Sequence, residues 1–190
     1  MMRDMNRRFL FLVIGLSFLF LSNRGEGQQI SLSTNILDYA AFGTINLSGS
    51  YSLNRHYSIF LEGLYNPFEF GGAENRKQFK QIALVTGVRY WPWFVNSSWF
   101  FSGGVRVTKF SYGGIFTKKS YEGRAFGADF RGGYAWMLGE KVNLEIGLGA
   151  FVGGAKYKRY SCVVCGIEEM EKSKIVASPS DVLMAITIVF

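Results

Sequence analysis

Residues 142–152 read Val-Asn-Leu-Glu-Ile-Gly-Leu-Gly-Ala-Phe-Val, in which aliphatic side chains alternate with polar, small or aromatic ones. Because successive side chains of a β-strand point to opposite faces, Leu144, Ile146 and Leu148 share one face and Glu145 lies on the other. The pattern recurs along nearly the whole chain, up to the terminal Phe190. Strands with charges on one face and aliphatic side chains on the other predict a small transmembrane β-barrel.

The N-terminal segment has the features of an export signal. Arg3, Arg7 and Arg8 precede an apolar run over residues 9–21. This run is too short to span a bilayer, for which about 20 residues are needed. The basic start, the short apolar core and the small residues Gly25 and Gly27 predict a signal peptide over residues 1–27 and a mature barrel domain over 28–190. An uncleaved interfacial anchor is the alternative.

Eight segments carry the alternation, and they predict an all-β fold, an eight-stranded antiparallel up-and-down transmembrane β-barrel. The predicted strands are 30–37, 44–53, 57–66, 81–91, 99–108, 122–137, 142–152 and 181–190. Short turns near 54–56, 94–98 and 139–141 alternate with longer connections near 67–80, 111–121 and 156–180, and only the connection near 38–43 is brief. Outer-membrane barrels have short periplasmic turns and longer outer loops.

Charged side chains away from the strand ends all fall on the predicted inner face. They are Glu62, Arg89, Arg106, Asp129, Arg131 and Glu145. A register shift of one residue would move such a row to the lipid face, where each Arg or Lys costs roughly 2–4 kcal/mol. An eight-stranded ring leaves room only for side chains inside. We therefore predict an interior ion-pair network that plugs the barrel. An acid/base pair among the three carboxylates is the alternative.

Aromatic side chains gather near both ends of the predicted strands. Near the short turns stand Trp91, Trp93, Phe94, Trp99, Tyr134 and Trp136, and near the longer loops stand Tyr65, Phe68, Phe70, Phe110, Tyr112 and Tyr157. Tyr and Trp favour the membrane interface, because they combine an apolar ring with a hydrogen-bonding group. We expect two aromatic girdles.

The Cys162-Val163-Val164-Cys165 segment lies in the longest predicted loop. A local disulfide is the favoured interpretation for an exported protein, and a redox pair or a zinc half-site are the alternatives. Zinc needs four ligands, and the single histidine, His56, is predicted at the opposite end. We predict no metal, no cofactor and no catalytic residue.

The composition bounds the partners. Beyond residue 27 the basic residues exceed the acidic ones by five, and no basic cluster interleaves with aromatics as nucleic-acid binding requires. The expected partners are outer-membrane lipid and lipopolysaccharide. The alternating last strand that ends in Phe190 is typical of the signal read by the barrel assembly machinery.

Several segments stand in an order that resembles one protein family. They include Thr34-Asn35-Ile36-Leu37-Asp38-Tyr39, Tyr65-Asn66-Pro67-Phe68, Arg89-Tyr90-Trp91, Gly133-Tyr134-Ala135-Trp136 and Tyr160-Ser161-Cys162-Val163-Val164-Cys165-Gly166. The chain resembles small outer-membrane proteins of Bacteroides-type bacteria that are catalogued as a domain of unknown function. The resemblance implies an outer-membrane barrel and, in some relatives, genes near those for fimbrial or surface assembly. It implies no catalytic residue.

These observations predict a non-enzymatic barrel in the outer membrane of a Gram-negative bacterium. Its expected role is structural or in surface interaction, with a link to fimbrial or envelope assembly, and the three longer loops would contact the partner. Two alternatives stay open at this point. One is an enzyme that modifies outer-leaflet lipid, and the other is a soluble exported barrel that binds an apolar ligand.

Overall fold

The computed structural model describes residues 29–40, 43–70, 77–114, 119–161 and 168–190, so the predicted signal peptide lies outside the described residues. The strands are β1 Ile30–Asn35, β2 Ile45–Ser52, β3 Tyr57–Asn66, β4 Glu69–Phe70, β5 Lys77–Tyr90, β6 Ser98–Gly113, β7 Ser120–Met137, β8 Val142–Tyr160 and β9 Glu168–Val189, and one short helix, α1, covers Ile36–Ala40. Within the described residues, no helix has the length and apolar character needed to cross a membrane.

The strands form one antiparallel sheet that closes on itself. β1 pairs with β2 on one side and with β9 on the other, and β3 pairs with β5, so that eight strands make a ring. The two-residue β4 adds only to the edge of β5. The prediction of an all-β antiparallel fold with eight main strands is confirmed, while β4 was not predicted.

The facing of the side chains follows the alternation. On β3, Phe60 and Glu62 are 4% and 5% exposed, whereas the intervening Leu61 is 54% exposed. The other long strands repeat this contrast, with aliphatic and aromatic side chains outside and polar, charged or small ones inside. Interior glycines also lie opposite one another, as in the pairs Gly87–Gly104 and Gly127–Gly153. These pairs reduce the volume of side chains inside a narrow ring.

The wall of the ring has unequal height. Among the eight strands of the ring, strand length rises from 6 residues in β1 to 22 in β9. We call the end that carries α1 and the β6–β7 and β8–β9 connections the loop end, and the opposite end the turn end. Among the described residues, β1 pairs with β9 only over Ala185–Val189, so the first part of β9 pairs there with β8 alone. Residues 108–113, 120–125, 155–160 and 168–174 form a wall extension at the loop end.

The wall extension corrects the predicted loops. Residues 156–180 were predicted to be a loop, yet Lys156 to Tyr160 continue β8 and Glu168 to Ser180 belong to β9. Likewise, β6 reaches Gly113 and β7 begins at Ser120. Charged or polar residues occur on both faces of the extension, so no apolar row marks it in the sequence. The backbone ladder between β8 and β9 continues without that signal.

A β-bulge in β9 changes which residues face inward. Leu148 pairs with Val182 and Ala150 with Pro179, so Ser180 and Asp181 together face the single residue Gly149. Bulges of this kind re-aim side chains. A Cβ on Gly149 would lie 2.0 Å from Asp181 Oδ1 and 2.3 Å from Ser180 Oγ. The absence of a side chain at Gly149 thus makes room for the Asp181 carboxylate.

The turn end is closed by the segment after β5. Trp91 is fully buried against Phe100, and its indole nitrogen donates a hydrogen bond to Ser58 Oγ at 3.1 Å. Further along, Asn143 Nδ2 donates to the Asn96 carbonyl at 2.6 Å. Trp91 was predicted to be a girdle residue. That prediction is wrong, because its side chain turns inward and fills the end of the ring.

The bulge gives a stability prediction. We expect Gly149→Ala to lower the free energy of unfolding by roughly 1–3 kcal/mol, because the added methyl group overlaps Asp181 and Ser180. Gly154→Ala is the matched control on the same strand, because its Cβ would meet nothing within 4 Å. Denaturant unfolding of both variants measures the difference. Equal stabilities would contradict the packing described for the bulge.

Candidate functional site

Arg131 is the centre of the interior charge network. Its Nε donates to Asp129 Oδ1 at 2.9 Å, its Nη1 donates to Glu62, and its Nη2 lies 3.2 Å from Asp181 Oδ2. Arg106 joins the same group, since its Nε donates to the other Asp129 oxygen at 2.8 Å. Asp129 therefore bridges two guanidinium groups, and all these side chains are buried.

A second ion pair lies nearer the turn end. Arg89 Nη1 donates to Glu145 Oε2 at 2.9 Å, and Thr187 Oγ1 donates to the other carboxylate oxygen at 2.8 Å. The Arg89 guanidinium carbon lies 4.5 Å from the Phe100 ring centroid and 5.7 Å from that of Phe60. Cation–π contact adds to the ion pair, so a single arginine is held by a carboxylate and aromatic faces.

The structure brings all six predicted interior charges into ion pairs and adds a seventh residue, Asp181. The alternation already placed Asp181 on the inner face. Asp181 is the first residue of the predicted strand 181–190, and the predicted network covers only charges away from the strand ends. Four carboxylates thus face three guanidinium groups in the interior.

The network fills the ring. Between the two ion-pair groups remains a cavity of only about 10 Å³, which borders Glu62, Arg89, Arg131 and Glu145. That volume corresponds to about one water molecule. Each of the three carboxylates considered for acid/base chemistry, Glu62, Asp129 and Glu145, accepts a hydrogen bond from an arginine. The ion pairs fill this part of the ring, and the space between the two groups holds no more than about one water molecule.

Helix α1 folds over the loop end of the ring next to the network. Asn35 anchors it, since its Nδ2 donates to the Val182 carbonyl at 3.0 Å and its Oδ1 accepts from the Leu37 amide at 3.3 Å. Burial, together with the charges of Asp181 and Glu62, raises the pKa of Asp38 to about 6. The Asn35 hydrogen bond and Arg131 oppose this shift.

A much larger cavity, of about 660 Å³, lies on the inner face of the wall extension. Arg106 and Thr108 line it from β6, Tyr157 from β8, and Lys172 and Lys174 from β9. Three residues predicted for the outer girdle, namely Phe110, Tyr112 and Tyr157, also line it. For these three the girdle prediction is wrong, because the strands continue past the predicted loop boundary and keep them on the inner face.

Tyr112 shows how closely the wall of this cavity is packed. Its ring stacks on Phe79 and on Phe110, with centroid distances of 4.7 and 5.2 Å. Its hydroxyl donates a hydrogen bond to Gln81 Oε1 at 2.7 Å. Burial raises the pKa of Tyr112 to about 12, against a smaller opposing effect of Arg106. The phenol is therefore a neutral donor at physiological pH.

The remaining predicted residues fall elsewhere. Cys162 and Cys165 lie outside the described residues, so their disulfide stays a prediction. Phe190 is 62% exposed, and its amide donates to the Ile30 carbonyl at 2.8 Å, next to the seam between β1 and β9. His56 Nδ1 lies 2.9 Å from the Trp91 carbonyl at the turn end. In the described part of the chain, no group of three His, Cys, Asp or Glu side chains could hold a metal ion.

Comparison with known proteins identifies a family and no activity. Residues 10–190 match the model of a family described as a protein of unknown function, DUF3575. Neither a curated protein nor a solved structure matches the chain.

The interior network gives a second stability prediction. We expect Arg131→Met to lower the free energy of unfolding by about 3–5 kcal/mol, because it leaves buried carboxylates without their partner. Lys158→Met is the matched control, since its pair with Glu171 is exposed and 4.0 Å long, and the expected loss is under about 1 kcal/mol. Adding Glu62→Gln to Arg131→Met should recover part of the loss. Fully additive losses in the double variant would contradict the network.

Asp38 gives a prediction on pH dependence. The folded protein binds this proton more tightly than the unfolded chain, whose Asp38 keeps the ordinary value of 3.8. Protonation therefore favours folding, so this residue's contribution to stability rises as pH falls through about 6 and is complete below 3.8. We expect Asp38→Asn to stabilise the protein at pH 7 but not at pH 4. Unfolding curves of both proteins at the two pH values measure this, and an equal effect at both would contradict it.

Proposed function

Since the chain belongs to the DUF3575 family, whose function is unknown, we propose its role from the geometry of the ring. It is a closed eight-stranded β-barrel in the outer membrane of a Gram-negative bacterium. It has no enzymatic activity, and it acts as a structural element whose loop end interacts with a component of the cell surface. The apolar outer face, set against a charged interior, is the observation that carries this proposal.

The height of the apolar outer face fits a bilayer. On β7 the outward residues between Arg124 and Tyr134 are Phe126, Ala128, Phe130 and Gly132. Ten residues at about 3.4 Å each, tilted by about 40°, span roughly 26 Å. Outer-membrane barrels carry an apolar band about 25 Å tall. A soluble monomer rarely exposes an apolar patch larger than a few hundred Å².

Aromatic side chains border the band at the turn end. Trp99 packs edge-on against Tyr134 with a centroid distance of 5.3 Å, and Trp136 lies 4.6 Å beyond that tyrosine. Tyr57 and Tyr90 form a similar pair at 5.2 Å. Rings of this kind sit at the membrane interface, where their polar groups reach water and head groups. They support a periplasmic turn end.

A row of cations borders the band at the loop end. Lys109 lies opposite Arg124, and Arg124 lies opposite Lys156, so three basic residues stand side by side on the outer face of β6, β7 and β8. Like charges directly opposite one another on neighbouring strands are destabilising on their own. Phosphate groups of lipopolysaccharide at the top of the outer leaflet would neutralise them. The row therefore supports an outward-facing loop end.

The interior favours this role over the two alternatives. A lipid-modifying enzyme needs an available acid or base, whereas the interior carboxylates are committed to arginines. A soluble barrel that carries an apolar ligand needs an apolar interior cavity. Here ion pairs surround a space of about 10 Å³ in the lower part of the ring, and four cations line the larger cavity at the loop end. We therefore assign partner binding to the loop end. We propose a fimbrial or envelope component as the partner there, and the barrel assembly machinery as the partner that recognises Phe190.

Two arginine substitutions test membrane insertion. Leu148 and Met137 are 67% and 69% exposed, so a protein surrounded by water would tolerate Arg equally well at both positions. Leu148 lies within the proposed band and Met137 lies at the turn end. We expect Leu148→Arg to lower the free energy of unfolding from phospholipid vesicles by roughly 2–4 kcal/mol, and Met137→Arg by roughly 0–1 kcal/mol.

Reversible denaturant unfolding in vesicles measures both variants, with fluorescence of the native tryptophans as the signal. A companion measurement follows folding without lipid or detergent. Equal effects of the two substitutions, or a fully folded monomer in buffer alone, would overturn the proposal.

A further inference from the structure

The cavity on the inner face of the wall extension is built from facing rows of residues. Thr108 on β6 lies opposite Ala125 on β7, which lies opposite Ala155 on β8, which lies opposite Lys174 on β9. Two small residues thus separate a polar wall on β6 from a basic wall on β9. The resulting space of about 660 Å³ is in the range of ligand sites and exceeds the interior void many times over.

The charge of this lining has one sign. Arg106, Arg159, Lys172 and Lys174 line the cavity, and no described residue of the lining is acidic. Asp181 lies beneath the floor, where its carboxylate is 3.2 Å from Arg131 Nη2 and 3.8 Å from Arg106 Nη2. Cations concentrated in a concave site favour an anion.

Two buried polar groups of the floor lack hydrogen-bond partners. Arg106 is 5% exposed and its Nη2 makes no hydrogen bond, although its Nε is held by Asp129. Thr108, which is 8% exposed, has an unpartnered Oγ1 two residues along the same face of β6. An unsatisfied buried donor costs roughly 1–3 kcal/mol, and a ligand that supplies oxygen atoms would remove that cost.

Aromatic rings and hydroxyl groups make up most of the remaining lining. Phe110, Tyr121 and Tyr157 present ring surface, and Lys174 Nζ lies 5.5 Å from the Tyr157 ring centroid. Ser178 and Ser180 add hydroxyl groups from β9. Rings pack against the C–H faces of a cyclic ligand, while hydroxyl groups match a ligand rich in hydroxyls.

We propose that this cavity binds a saccharide that carries a carboxylate or phosphate group. The anion would sit between Arg106 and the β9 lysines, and the sugar ring would pack on Tyr157. This inference deepens the proposed function, because the cavity faces the cell exterior only if the loop end does. A lipid acyl chain would leave the four cations and the two unpartnered polar groups of the floor without a partner. An acidic peptide would satisfy the cations but leave the rings without a cyclic partner.

Isothermal titration of the full mature chain, folded in detergent micelles, tests the site with four probes. Trigalacturonate is the carboxylated sugar, and maltotriose 6-phosphate is the phosphorylated sugar. Neutral maltotriose tests the sugar ring without a charge, and a triglutamate peptide tests the carboxylates without a sugar ring. We expect at least one of the two anionic sugars to bind about tenfold or more tightly than both maltotriose and triglutamate, and to weaken as salt is raised.

Paired lysine variants locate the binding. Lys172→Gln with Lys174→Gln removes two cations from the cavity, whereas Lys141→Gln with Lys158→Gln removes one exposed cation at the turn end and one on the outer face of β8. The first pair should weaken sugar binding about tenfold, which corresponds to 1.4 kcal/mol, and the second pair should leave it unchanged. Tyr157→Leu should weaken binding of both anionic sugars and leave binding of inorganic phosphate, titrated as a fifth probe, unaffected.

Several results would overturn the proposal. They are equal weakening by the two lysine pairs, triglutamate or maltotriose binding as tightly as the anionic sugars, and no binding of either anionic sugar. Gel mobility with and without heating confirms that each variant is folded before titration. Because binding is measured in micelles, its failure leaves membrane insertion untouched, and failure of the vesicle test leaves the binding result untouched.

Discussion

The bridge that Asp129 forms between Arg106 and Arg131 is the interaction on which the rest of the structure depends. It holds two neighbouring guanidinium groups that would otherwise repel each other inside a narrow ring. Removing either partner from such a buried pair leaves an uncompensated charge, at a cost of several kcal/mol. The bridge thereby fixes which side chains of these strands point inward. A register slip of one residue would separate the charged groups and place them on the apolar outer surface.

The network also explains the irregular part of the sheet. Arg131 has three carboxylate partners, and the third, Asp181, is turned inward at a bulge that a side chain at Gly149 would obstruct. On the loop-end side of the bulge the inward residues of β9 have even numbers, whereas on the turn-end side they have odd numbers. As a result, Lys172 and Lys174 face the same space as Tyr157. The β-bulge in β9 thus turns Asp181 into the buried network and also places the lysines that form the basic wall of the loop-end cavity.

Much of the fold was predictable from the sequence, because the apolar alternation that defines a strand is strong wherever the outer face is apolar. It identified the eight main strands and the inward facing of residues such as Glu62 and Arg131. It failed for residues 168–180, where both faces are polar and only backbone hydrogen bonds define the strand. The cavity could not be predicted for the same reason, since Phe110, Tyr112 and Tyr157 look like girdle residues until the strands are extended.

The unequal height of the wall connects the sealed interior to an accessible surface. In the lower part of the ring, inward residues meet other inward residues and are buried by them. Where β1 no longer accompanies β9, the inner face of β6 to β9 continues without that opposing strand, so inward residues there line an open cavity. Among the described residues, the part of β9 before Ala185 pairs with no second strand, and Glu171, Lys172 and Pro179 are features that blunt such an edge against strand addition. We therefore expect the proposed partner of the loop end to contact side chains of the cavity and not to pair with the backbone of β9.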